Sequence, residues 1–232
     1  MHSVGHGNLM GESPFDVAPA TADDMTWLYT KRLVQGPAAA RDIYDQIKLR
    51  AQGTCLFCGH GEAYTLDHYL PKHRHWALAV DPQNLIPSCA ECNHRKGSSD
   101  STDANGSLLH PYFDDLDGEV WLRAAVVPGP PLTFQFSVDP PRSWTPHLAA
   151  RAKRHLEILA LDRLYGAQAV QELGSVRQVL VDLLDSARPG SVRSHLRDVR
   201  QSRERYRPNS WQAAMYRAME ESDWFCDGGL RT

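Results

Sequence analysis

Apolar positions recur at helical spacing close to the start of the chain. Ala40, Ile43, Tyr44, Ile47 and Ala51 fall at i, i+3, i+4, i+7 and i+11 behind Gly36-Pro37, and Gly53 supplies a stop. Before them, Thr21 and Asp24 have the spacing of a capping box, which predicts a helix over about 22–34. EVWLRAAVV (119–127) and LTFQFSV (132–138) read instead as the strands of a hairpin around PGPP, closed off by Pro140-Pro141. From 145 onward the pattern is helical over 146–164, 166–186, 191–206 and 210–222. Ser-Trp and Thr-Pro openings and breaks at Pro189-Gly190 and Pro208-Asn209 delimit these segments. The first 20 residues, rich in Gly, Pro and small polar side chains, read as a flexible tail. Between the first helices and the hairpin, TLDHYLPK (65–72) reads as a short strand within a turn-rich stretch.

Composition changes this picture little. The chain has 232 residues, 42% of them hydrophobic and 23% charged, which suits a globular core. It has no apolar run long enough to span a bilayer, and its start lacks the basic and apolar regions of a signal peptide, so a cytoplasmic location is expected. Net charge is −3, but residues 142–207 carry 13 Lys/Arg against 7 Asp/Glu, whereas 100–119 carry six acids and no Lys or Arg. Such asymmetry permits binding to an anionic polymer without establishing it.

The cysteines are more telling. In a reducing compartment, two Cys-x-x-Cys pairs point to metal ligation rather than disulfides. Cys55/Cys58 and Cys89/Cys92 can present four thiolates to one tetrahedral structural zinc, with Gly59 allowing a turn that faces backbone N–H groups to sulfur. Cys226 stands alone and reads as a small packing residue. The 30 residues between Cys58 and Cys89 must hold structure of their own.

That interval contains Asp67-His68, then Asn84 in NLIPSC, then Asn93-x-x-Lys96 directly after Cys92. Together these residues resemble the HNH endonuclease superfamily, whose ββα-metal fold is often stapled by four cysteines. The resemblance implies a zinc-stapled ββα-metal core at 53–100, and the chain's own pattern adds N-terminal helices at 21–52, an acidic linker and β-hairpin at 101–142 and a helical region at 143–232, an α+β, mainly helical protein in all. It implies that His68 is a general base, that Asp67 and Asn93 hold a catalytic divalent ion, and that Asn84 braces the loop orienting the base. Lys96, on the face of Asn93, is expected to meet a phosphate. The chemistry agrees, since imidazole can take a proton from water near neutral pH. Carboxylate and amide oxygens are hard donors suited to Mg²⁺ or Mn²⁺. The third motif position is Asn93 rather than His, which favours an oxygen-ligated ion there over zinc.

Plainer readings stand beside these. His68 alone would be a half-buried strand residue, Asn93 a helix N-cap and Lys96 a solvated charge. His73, Arg74 and His75 read as a solvated loop, His60 as exposed, and His94 as turned away from Asn93. Adjacent strand residues face opposite ways, so Asp67 and His68 meet one substrate only where the strand bends or the substrate lies between them.

Arg193, Arg197, Arg200 and Arg207 fall within a sector of about 80° on their helix. They fit either a row that tracks a nucleic-acid backbone or a face bridged to Glu204 and nearby acids. Trp211, Tyr216, Trp224 and Phe225 read as core. The wording LDHYLPK…NLIPSC…CN..K followed by LLHPYFDD resembles bacterial HNH proteins, several encoded beside ATPases in restriction or antiphage systems such as Septu. DNA is the expected substrate. A defence-system ATPase as partner and a homo-oligomer are left open, and a non-catalytic zinc-stapled module binding nucleic acid or protein is the alternative function.

Overall fold

A computed structural model describes residues 20–97, 107–114, 116–186 and 190–231. The expected flexible tail at 1–20 lies almost wholly outside these residues. Contacts divide the chain into two compact units, one ending at residue 115 and one beginning at 116.

The first unit opens with α1 (Ala22–Trp27), capped reciprocally by Thr21 and Asp24 as the capping-box spacing predicts. The helix does not end at Trp27 but widens into a π-helical segment, Leu28–Val34, which buries Tyr29 and Leu33. α2 (Ala38–Leu49) follows, with Tyr44 and Ile47 buried. Two short strands, β1 (Thr65–His68) and β2 (Leu85–Ser88), pair antiparallel with His68 opposite Leu85 and Asp67 opposite Ile86. α3 (Ala90–Lys96) completes a ββα unit. One apolar cluster of Tyr29, Leu33, Tyr44, Ile47, Leu66 and Leu85 joins the N-terminal helices to both strands.

The second unit is built on a hairpin of β3 (Leu122–Val127) and β4 (Thr133–Val138). Behind it come α4 (Pro146–Ile158), α5 (Leu161–Asp185), α6 (Ser191–Tyr206), α7 (Trp211–Glu221) and the single turn α8 (Asp223–Cys226). α5 packs on β4 and α7 on β3, while α6 lies against α7. Leu122, Phe136, Leu180, Leu196, Met215, Met219 and Phe225 form the interior. The aromatic residues Trp211, Tyr216 and Phe225 are buried as expected, whereas Trp224 is 37% exposed.

One boundary differs from the expectation. The break between the first two C-terminal helices falls at Ala160, in the left-handed region at φ 47°, and not near residue 165. Gly166 lies inside α5, where a Cβ would stand 3.0 Å from the Phe134 carbonyl oxygen. The glycine there serves close helix–strand approach instead of helix termination. Asn209, read only as a break, accepts from the Trp121 and Leu122 N–H groups and donates to the Leu116 and Glu119 carbonyls, pinning the hairpin entrance. Among the described residues no helix is long and apolar enough to cross a membrane.

Candidate functional site

The two Cys-x-x-Cys turns converge. The sulfurs of Cys55, Cys58, Cys89 and Cys92 all lie within 4.8 Å of one another. Tetrahedral zinc with Zn–S of about 2.3 Å needs S···S separations of about 3.8 Å, so the donor set fits that ion. Gly59 turns at φ 63°, yet its N–H bonds the Cys55 carbonyl. The N–H that faces sulfur is that of Gly61, 3.3 Å from Cys58 Sγ, joined by Cys92 N–H at 3.4 Å from Cys89 Sγ. Gly61 was not singled out in the sequence, although a Cβ there would stand 2.8 Å from Cys89 Cβ. Hydrogen bonding with Cys55 draws the Cys89 and Cys58 thiols down, Cys58 to about 7, and pushes Cys92 up.

β1 leads from this staple to the Asp-His pair, and its two-residue period decides where each side chain goes. Leu66 and His68 share the face that meets the N-terminal helices. There the His68 ring lies edge-on to Tyr29, with centroids 4.4 Å apart, and Tyr29 Oη donates to the Leu66 carbonyl. His68 is buried, 8% exposed, and its Nε2 is 2.9 Å from the Ala79 carbonyl oxygen. A carbonyl only accepts, so in the neutral ring Nε2 carries the hydrogen and Nδ1 keeps its lone pair. Burial draws the imidazole down to about 4, against the Ala79 hydrogen bond and helped by the charges of Lys72 and Lys96.

Asp67 points the other way, to α3. Its Oδ2 lies 3.2 Å from Lys96 Nζ, and Lys96 also donates to the His68 carbonyl at 2.6 Å. Burial pushes the Asp67 carboxyl up to about 6 in spite of the Lys96 charge. Lys96 is only 2% exposed, which corrects the reading of it as a solvated charge. Burying an ammonium requires a partner, and Asp67 is that partner.

Asn84 clamps the loop between the strands. Its Oδ1 accepts from Leu70 N–H, and its Nδ2 donates to the carbonyls of Leu70 and Leu78. The second clamp fixes the residue before Ala79, and so the carbonyl that holds His68. Asn93 is half-buried in the second turn of α3, three residues before Lys96 and on its side of the helix. The N-cap of α3 is Cys89, so the cap reading of Asn93 is corrected. His60, His73, Arg74 and His94 are exposed.

Three of the four α6 arginines meet acids of their own unit, as the bridged-face reading expects. Arg193 reaches Asp223 at 2.6 Å and the Glu220 carbonyl. Arg197 and Arg200 converge on the Glu220 carboxylate at 2.9 and 2.5 Å, and Arg200 also meets Glu204 at 2.6 Å. Glu204 takes Arg217 as well. Against burial, which raises it, hydrogen bonds from Arg200 and Arg197 hold Glu220 below the usual carboxylate range. Arg207 is the C-cap residue of α6, in an extended conformation. The charges of Arg193, Arg197 and Arg200 are thus met within their own unit.

Residues 53–99 match the family model for the HNH endonuclease. The chain is 28% identical over 217 residues to Protein ea31 of Escherichia phage lambda, a match covering 87% of this chain and 73% of that one. It is 28% identical over 90 residues to Septu protein PtuB of Bacillus thuringiensis, covering 37% of this chain and 34% of that one. No solved structure matches.

Proposed function

We propose that this chain, with its HNH endonuclease segment at 53–99, is a metal-dependent nuclease that hydrolyses phosphodiester bonds of DNA in the cytoplasm. One observation carries the reading: a buried imidazole has one nitrogen committed to a backbone carbonyl and the other left as an acceptor. A zinc staple alone has no use for that arrangement.

His68 Nδ1 takes a proton from water. The water oxygen bonds phosphorus as the bond to the 3′ oxygen breaks, and that oxygen takes its proton from solvent. Asn84 holds the loop whose Ala79 carbonyl fixes the ring. Asp67 and Asn93 offer a carboxylate and an amide oxygen to Mg²⁺ or Mn²⁺, which when bound would neutralise charge on the phosphate and the leaving oxygen. His68 is the last residue of β1, so a phosphate across the end of that strand meets both faces. The four cysteines hold Zn²⁺ as a structural ion.

The stretch shared with Septu protein PtuB supports extending the proposal to restriction or antiphage defence, with an ATPase as the partner to look for. The alternative of a non-catalytic zinc-stapled module draws on the Lys96–Asp67 pair, which already neutralises one proposed ligand.

Cleavage of supercoiled plasmid in Mg²⁺, Mn²⁺ or EDTA, with zinc content measured alongside, separates the two. Metal-dependent nicking by the wild type, lost in His68→Ala and Asn93→Ala at equal zinc content, is the expected result. A folded, zinc-loaded wild type that binds DNA but never cuts it would favour the module.

A further inference from the structure

The segment that matches the HNH family begins at residue 53, yet one wall of the His68 site comes from before it. Tyr29, 8% exposed, sits in the π-helical segment and makes three contacts at once. Its hydroxyl holds the Leu66 carbonyl, its ring meets the His68 ring, and Lys72 Nζ stands 4.7 Å from its ring centroid. The wide π-helical turns and the Leu33 anchor that follows seat this ring on β1.

Lys72, like Arg32 over Trp27 and Lys48 over Tyr64, stands on an aromatic ring, but its ring is the one that also meets the His68 imidazole. Lys96 is paired with Asp67, Arg41 with Asp45 and Arg95 with Glu91. Among the described residues Lys72 has no carboxylate partner, and its ammonium stands over the aromatic face. A cation over a ring keeps its hydrogen-bonding capacity, because the π-face takes charge without taking a specific N–H. It is half-buried, four residues beyond His68, with its ammonium on the same ring that contacts the imidazole. Water near His68 attacks only a phosphate lying beside it, and such a phosphate brings its unesterified oxygens within the ammonium's neighbourhood.

We propose that Lys72 binds the scissile phosphodiester through its anionic oxygen, and that Tyr29 is the positioning residue that presents both the Lys72 ammonium and the His68 ring to it. The inference rests on the nuclease reading for the word scissile, but the phosphate contact itself does not need cleavage. Tyr29 thereby makes the N-terminal helix part of the site.

The test is binding of a non-specific duplex oligonucleotide by the full chain carrying His68→Ala, titrated over a range of salt concentrations. Adding Lys72→Met is expected to lower the slope of log K against log[salt] by about 0.9, the loss of one phosphate contact. Lys72→Arg should restore the slope. Tyr29→Phe, which loses the hydroxyl but keeps the ring, should keep the slope, while Tyr29→Leu should shift it toward that of Lys72→Met. Lys48, whose ammonium stands 5.7 Å from the ring centroid of Tyr64 elsewhere in the unit, serves as a comparison, and Lys48→Met should leave the slope unchanged. In the His68-intact chain, Lys72→Met should cut kcat/KM about tenfold to a hundredfold.

An unchanged slope in zinc-loaded Lys72→Met overturns the proposal, as does an equal drop in Lys48→Met or an absence of duplex binding at low salt. If the wild type never cuts but the slope still falls in Lys72→Met, the contact stands and the nuclease reading fails. If the wild type cuts and Lys72→Met changes neither slope nor rate, the reverse holds.

Discussion

Lys96 Nζ lies 3.2 Å from Asp67 Oδ2, joining α3 to β1 by an ion pair whose ammonium side is 2% exposed. The same ammonium donates to the carbonyl of His68, so one side chain fixes both the carboxylate and the backbone of the proposed base. A charge buried that deeply is tolerated because it is paired, and removing one partner leaves the other stranded.

Lys96→Met should therefore cost roughly 3–5 kcal/mol in unfolding free energy, more than Asp67→Asn, which leaves an amide oxygen for the ammonium. The double variant should recover part of that loss. Urea unfolding of the four proteins, zinc-loaded, gives the coupling directly. Additive losses would mean that the two side chains do not depend on each other.

Acid should separate Asp67 from His68. Asp67 stands at about 6 in the fold against 3.8 ordinarily, a raised value whose benefit is present at low pH and lost as pH rises through 6. His68 stands at about 4 against 6.5, a depressed value whose benefit is present above 6.5 and lost as pH falls through 4. Between about pH 4 and 6 the fold therefore holds one extra proton on Asp67 and lacks one on His68, and the two slopes oppose each other. Comparing Asp67→Asn with His68→Gln across about pH 5 to 6 should expose them, the first variant losing stability with acid relative to the second by up to about 2.7 kcal/mol per pH unit. Parallel curves would refute the assignment.

The sulfur cluster predicts a split response to metal removal. Stripping zinc, or Cys89→Ala, should unfold the first unit, since the ion ties the turn at 55–58 to the start of α3. Helical signal from α4–α7 should persist, because the second unit has its own apolar interior. Gly61→Ala should weaken zinc retention against a chelator without altering any ligand, as its Cβ would press on Cys89. Chelator competition followed by circular dichroism and hydrogen exchange reads both effects. Wild-type retention in Gly61→Ala would show that the turn relaxes.

What could be read from the chain was whatever depends on spacing along it. Cys55/Cys58 and Cys89/Cys92, the capping box at Thr21, and the hairpin at 122–138 are local patterns with local causes. The helical period showed that Arg193, Arg197 and Arg200 share a face, but a period does not say what lies opposite. That was Glu220, some twenty residues away on α7. The burial of Lys96 is illegible for the same reason, its partner lying on a strand 29 residues earlier. Tyr29 gave no signal at all: its place beside His68 depends on a π-helical widening, and an apolar pattern does not distinguish that from an ordinary helix.

The α6 arginines supply the last prediction. Glu220 has an 11% exposed side chain and collects Arg197 and Arg200 while its carbonyl takes Arg193, so it is the hub of the α6–α7 contact. Arg200 and Arg217 share Glu204 as well, and Arg217 donates onward to the Leu122 carbonyl of the hairpin. Neutralising one hub acid should loosen the whole face, whereas a solvated pair would contribute little. Glu220→Gln should lower the second unit's stability by roughly 2 kcal/mol, and reversing Arg197 and Arg200 to Glu by more, since that sets like charges against the hub. Neither change should alter the salt slope of duplex binding at temperatures where the unit is folded, because these arginines are already occupied. A stable, folded double reversal with a flattened slope would show instead that the arginines leave Glu220 for phosphate, and that the ion pairs of α6 and α7 hold a nucleic-acid surface in reserve.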